Sequence, residues 1–134
     1  MKRLASLSSL LISAAAMLNC GSSRHLTGIH VTPATADAQS FPRGQVPFAA
    51  TGTYNQAPSP QQLDASSVTW CVGSSSGTCN GNVVIPVTVQ NGVAHCNQGF
   101  TGTVTILAGT QPMMSNPDGG SQLKVFGTAQ LTCP

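Results

Sequence analysis

The chain is 134 residues long, and charged side chains make up only 6% of it, with no glutamate at all. That length supports one domain with little left over. From Cys20 onward Arg24, Arg43 and Lys124 offset Asp37, Asp64 and Asp118, which argues against a nucleic-acid partner and leaves no acidic tail.

Sparse charge with abundant Thr, Ser, Gly and Val is compatible with disorder. Disordered chains, however, carry high net charge and lack β-branched alternation. This sequence alternates well, so a folded β domain is expected.

Residues 1–20 read as an export leader. Lys2-Arg3 precedes a mostly apolar run from Leu4 to Leu18, followed by small residues. The run falls short of the about 20 apolar residues that a membrane-spanning helix needs. Cleavage after Ala16 would give a secreted chain beginning at Met17. Met17-Leu18-Asn19-Cys20-Gly21-Ser22-Ser23 instead resembles a bacterial lipobox, which implies acylation of Cys20 and a membrane partner through that lipid. Asn19 and Met17 depart from the usual pattern. Cysteine parity favours the lipid: of five cysteines, giving Cys20 to the anchor leaves four that can pair. The expected organisation is a leader over 1–20, a short linker over 21–25 and a domain over 26–134.

Within the domain, Leu26 to Pro33 predicts a first strand with Ile29 and Val31 inward and His30 outward. A turn at Arg43-Gly44-Gln45 leads into a strand over Phe48–Tyr54, where Phe48, Ala50, Gly52 and Tyr54 share one face. Asn55 to Pro60 is a proline- and glutamine-rich loop. Val68-Thr69-Trp70-Cys71-Val72 carries the only tryptophan and predicts the middle strand, with the indole in the core. Gly73 to Gly81 is a loop, and Val83 to Val89 a strand that Pro86 marks as an edge or bulge. Asn91-Gly92 signals a hairpin into Val93-Ala94-His95-Cys96. Thr103 to Ala108 is a strand, Gly109 to Ser121 the longest loop, and Leu123 to Leu131 the last strand. About seven strands with no helical period predict an all-β antiparallel sandwich.

Ile29-His30-Val31-Thr32-Pro33-Ala34, Phe48 through Tyr54, Leu63 through Trp70, Asn91-Gly92-Val93-Ala94 and Gly102 through Ile106 follow one another in a specific order. In that order and spacing they resemble the bacterial Ig-like domains of group 2, across residues 26 to 132. The resemblance implies an Ig-like β-sandwich and a non-catalytic, sometimes adhesive surface module. The four cysteines and the long last loop depart from it.

Placed on Ig topology, Cys71, Cys79, Cys96 and Cys133 are all expected at one pole, a placement compatible with any of three pairings. Proximity in sequence favours Cys71–Cys79 with Cys96–Cys133. Because Cys71 adjoins Trp70, its side chain leaves the opposite strand face, so the antibody bridge is not copied. Metal and redox chemistry are poor fits: seven residues separate Cys71 from Cys79, no C-x-x-C occurs, and His95 and Cys96 point to opposite faces.

Acid–base catalysis needs paired ionisable groups, and the few available are scattered. Asp64 and Asp118 sit in turn-forming contexts. No catalytic residue, cofactor or metal is therefore expected. Met113, Met114 and Asp118 in the long loop are the candidate contact surface, although the favoured reading of the two methionines is that they cap the core end. Two functions stand at this point: an envelope lipoprotein with a structural or protein-interaction domain, or an adhesin module binding a surface glycan or host molecule.

Overall fold

The computed structural model of the chain describes residues 22–80, 86–110 and 120–134, and the backbone of 112–115. Its strands are β1 (Leu26–Thr32), β2 (Thr35–Asp37), β3 (Gln45–Pro47), β4 (Ala49–Tyr54), β5 (Gln61–Gln62), β6 (Thr69–Gly73) and β7 (Thr78–Cys79). They continue as β8 (Val87–Gln90), β9 (Val93–Cys96), β10 (Gly102–Gly109), β11 (Pro112–Ser115), β12 (Ser121–Leu123) and β13 (Phe126–Cys133). The only helical pieces among the described residues are single turns at Ala38–Ser40 and Pro42–Gly44.

These strands form the all-β sandwich that the alternation predicts. One layer is a seven-stranded sheet in the order β11-β12-β7-β6-β10-β13-β2, with the tryptophan strand β6 in the middle. Facing it are two three-stranded sheets, β1-β4-β5 and β3-β9-β8. β1 packs across the interior on β13, and β8 on β6. Period-two patterning drives the layering: along β13, Gly127, Ala129, Leu131 and Cys133 are buried while Thr128, Gln130 and Thr132 are exposed. The shared core is built mostly of small and branched side chains, among them Val31, Ala50, Val46, Val87, Ile106 and Leu131. Phe48 is the one buried aromatic ring among the described residues, and Trp70 packs half-buried against the same cluster.

Strand number and continuity differ from expectation because the chain changes sheets. The predicted second strand begins one residue late, as β4 on β1, and a separate short strand, β3, pairs with β9 ahead of it; between the two the Phe48 amide donates to the Gly92 carbonyl at 2.7 Å. Proline at 33 cannot extend a ladder, and beyond it the chain crosses to the other layer. There β2 lies parallel to β13, the one parallel pair among the described strands. The stretch expected as the longest loop instead forms a hairpin: β11 pairs with β12, and β12 with β7. Residues 111 and 116–119 within it lie outside the described residues. So do 81–85 of the predicted strand beginning at Val83; its remainder, β8, is the sheet edge that Pro86 marked. Asn91 (φ 48°) and Gly92 (φ 79°) make the two-residue turn between β8 and β9 that the Asn-Gly signal predicts.

A second, smaller core lies on the other face of the large sheet. Leu107 follows Ile106 on β10, and both are fully buried, on opposite faces. Leu107 joins Cys79 and Leu123, with Cys71 and Phe126 at the margin. The β7 and β12 segments fold over this face, fixed by the Leu123 amide to the Gly77 carbonyl (3.0 Å) and by Thr78 Oγ1 to Gln122 Oε1 (2.7 Å). Gly77 (φ 86°) lies flush on the Phe126 ring, where any side chain would collide.

Candidate functional site

Cys71, Cys79, Cys96 and Cys133 form two bridges, Cys71–Cys79 with Cα atoms 5.7 Å apart and Cys96–Cys133 at 5.9 Å. Both separations suit disulfide geometry. The pairing agrees with sequence proximity; the shared pole does not. Cys71 stands opposite Leu107 on β10, whereas Cys133 stands opposite Gly102, five register positions away. At about 3.4 Å per residue, the bridges attach about 17 Å apart along β10. Cys71–Cys79 closes the outer cluster, while Cys96 and Cys133 belong to the main core. The reason is the strand alternation: Cys71 takes the face that Trp70 does not. Two such bridges fit an oxidising compartment. Cys20 lies outside the described residues.

His95 is exposed on β9 and Cys96 turns into the core, as their adjacency on a strand requires. Among the described residues no group of three His, Cys, Asp or Glu side chains converges as a metal site.

A recessed surface with polar and aromatic groups together lies beside Trp70. The turn after β5 builds its rim. Asp64 Oδ1 accepts from the Ser66 amide at 3.0 Å and the Ser66 hydroxyl at 2.9 Å, and the Ser67 amide donates to the Asp64 carbonyl at 2.9 Å. The two Ser66 donors, the amide foremost, hold the exposed Asp64 carboxyl below its ordinary pKa. The same turn presents the Ala65 carbonyl to the indole, whose Nε1 donates to it at 3.0 Å. A cavity of about 450 Å³ opens here, with Phe48, Leu63 and Trp70 as its apolar wall and Gln62 and Asp64 as its polar rim. An apolar face beside an amide and a charged carboxylate suits a small hydroxylated ligand.

A second hollow, of about 270 Å³, lies near Arg43, Phe41, Gln39 and His95. Arg43 there adopts φ 58°, which non-glycine residues seldom take.

Of the residues expected in the core, Phe48 is buried and Trp70 half-buried. Tyr54 is half-buried at the end of β4, where its ring meets Leu26 and Leu63 over Gly52 and stacks beneath Arg24. It closes the core's end rather than filling its middle. Asp64 forms the turn its context predicts. The side chains of Met113 and Met114, and all of Asp118, lie outside the described residues; the backbone at 113 and 114 is part of β11.

Sequence reasoning missed the outer cluster and the docked segment before β1. The first had a signal in the apolar pair Ile106-Leu107, which breaks the alternation. The second rests on Gln, Asn and Ser side chains whose partners have no periodic pattern.

No protein-family model and no curated protein matches this chain.

Proposed function

We propose that the chain is an exported lipoprotein of the cell envelope, held by an acyl group on Cys20, whose Ig-like sandwich serves as a non-catalytic structural or protein-interaction module. The observation that carries the reading is the pair of bridges. Cys71–Cys79 and Cys96–Cys133 use all four cysteines downstream of Cys20. Such bridges persist outside the reducing cytosol, and Cys20 is then the odd cysteine that needs its own chemistry. Support for the module reading comes from the ordered cluster of Ig-like fragments and from a surface whose few ionisable groups are spread apart. The envelope site, with the outer membrane as first choice, follows from the lipobox-like end of the leader.

Expression with the native leader in a bacterium tests this. The expected result is partition into detergent, an intact mass carrying a diacylglyceryl group, and release by Cys20→Ala. A mature chain beginning at Met17 without lipid defeats it.

A second reading is favoured by the cavity beside Trp70: an adhesin-type module binding a surface glycan or host molecule. Saccharide titration followed by Trp70 fluorescence separates the two. A saturable shift that weakens in Gln62→Ala supports the second reading, and an unchanged spectrum supports the first.

A further inference from the structure

The segment before β1, expected as a linker, is docked on the domain. The Arg24 guanidinium lies 3.5 Å over the Tyr54 ring and donates to the Pro58 carbonyl at 2.7 Å and to Gln61 Oε1 at 2.8 Å. The His25 amide donates to Asn55 Oδ1 at 2.8 Å, and the Asn55 amide returns to the His25 carbonyl at 3.2 Å. Gln56 Nε2 donates to the Ser22 carbonyl at 2.6 Å. Each contact is exposed and individually weak. Together they fix both the backbone and the side chains of residues 22–25 to the loop after β4.

Charge adds an independent observation. Gly127 abuts the Ile29 carbonyl and the Gln130 amide donates to the Ala34 carbonyl, so β13 runs alongside β1 in the same direction. Lys124, just before β13 begins, therefore lies at the pole where β1 begins, as Arg24 does. Asp37 stands opposite Thr132 near the far end of β13. Asp64 follows Leu63, whose amide donates to the Ala50 carbonyl, well back along β4 from Tyr54. Among the described residues, the pole where the N-terminal segment leaves the domain thus carries two cations and no carboxylate.

We propose that this pole is a mount that seats the anchored domain directly on an anionic lipid surface, with Arg24 and Lys124 toward the headgroups and the Arg43 end pointing away. The inference rests on the reading of Cys20 as the acylated residue. From Cys20 to Ser22 the chain reaches at most about 7 Å, comparable to a Debye length of about 8 Å at physiological ionic strength. A loose linker would let the domain tumble beyond that range; the docked segment removes the slack. The partner is the membrane itself, and the hollow near Arg43 stays clear of it.

The test uses the full chain processed in a bacterium and reconstituted into phosphatidylethanolamine–phosphatidylglycerol vesicles. Intact mass of the same sample reports the acyl group, and hydrogen exchange reports the contact surface. Relative to neutral detergent micelles, vesicles should slow exchange at 22–26, 54–61 and 124–127, leaving 41–46 unchanged. The effect should fade as salt is raised. Lys124→Gln, which leaves every contact of the docked segment intact, should lower the seated-to-free ratio about fivefold. An acylated chain with no vesicle-dependent slowing at this pole, or with slowing at 41–46, overturns the mount and leaves the anchor standing. A chain of unacylated mass overturns the anchor and the mount with it.

Discussion

Trp70 and Cys71 are sequence neighbours that serve two different cores on the two faces of β6. The indole packs against the main cluster, while the Cys71 sulfur bridges to Cys79 over Leu107. The large sheet is therefore apolar on both faces near its middle, and each face has its own disulfide. The two bridges stabilise different things, which yields the first prediction.

Replacing Cys71 and Cys79 by Ser should loosen the outer cluster before the sandwich. Amides of β7 and β12 should exchange faster while those of β10 and β13 stay protected. Loop-closure entropy sets the loss at about 2.6 kcal/mol for this bridge and about 3.9 kcal/mol for Cys96–Cys133, whose loop is longer. The second loss should appear as a global drop in denaturant midpoint. Equal, global effects from both double mutants would contradict the two-core arrangement.

Much of this fold is written in local pattern. The alternation of Leu26–Thr32 and Phe126–Cys133 and the Asn91-Gly92 turn each depend on a few adjacent residues, and each reads directly. The splits do not. Phe48 leaves one sheet for another because its amide meets the Gly92 carbonyl, a partner 44 positions away. The hairpin of β11 and β12 is hidden by proline, asparagine and glycine, which resemble a loop until β7 supplies a pairing edge. The rim of the cavity is half legible: Asp64-Ala65-Ser66 announces a turn, yet nothing local says that the turn holds the Trp70 indole. The contacts of Arg24 join positions separated by 34 and 37 residues and leave no trace in the sequence.

Asp64 should titrate below the ordinary aspartate range, because the Ser66 amide and then the Ser66 hydroxyl favour its charged form. Its folded pKa is depressed, so its contribution is present above the unfolded value near 4 and is lost as pH falls through the folded one. Carboxyl shifts of Asp64 and the Ser66 amide followed by NMR should move together in that acid window. In Asp64→Ala the Ser66 amide should show no such step. A midpoint at or above the ordinary value would show that the turn does not hold the carboxylate.

For Trp70 the half-burial lowers the expected cost of truncation. A fully buried large aromatic loses about 3–5 kcal/mol on replacement by Ala; here we expect about 2–4 kcal/mol, with the sandwich still folded. Trp70→Phe keeps the apolar wall but leaves the Ala65 carbonyl without its indole donor, at about 0.5–1.5 kcal/mol. Native fluorescence should lie between buried and exposed limits, with partial acrylamide quenching. Complete protection from the quencher would mean that the cavity beside the indole is closed.

The sharpest test of the core's construction is at Gly92. Its φ of 79° belongs to the hairpin turn, and a Cβ there would stand 2.6 Å from the Phe48 carbonyl oxygen and 3.3 Å from Trp70 Cζ2. Gly92→Ala therefore meets two costs, left-handed backbone strain of about 1–2 kcal/mol and overpacking of about 1–3 kcal/mol. Gly99 provides the control. It has nearly the same φ, 81°, but nothing lies within 4 Å of where a Cβ would stand, so Gly99→Ala should show the strain alone. The difference between the two mutants, read from denaturant midpoints, isolates how tightly the β8–β9 turn is wedged against Phe48 and Trp70. Gly92→Ala should also shift the Trp70 emission, which Gly99→Ala should leave alone. If the two glycines respond alike, the turn is not in contact with the indole and the packing of β8 on β6 is wrong.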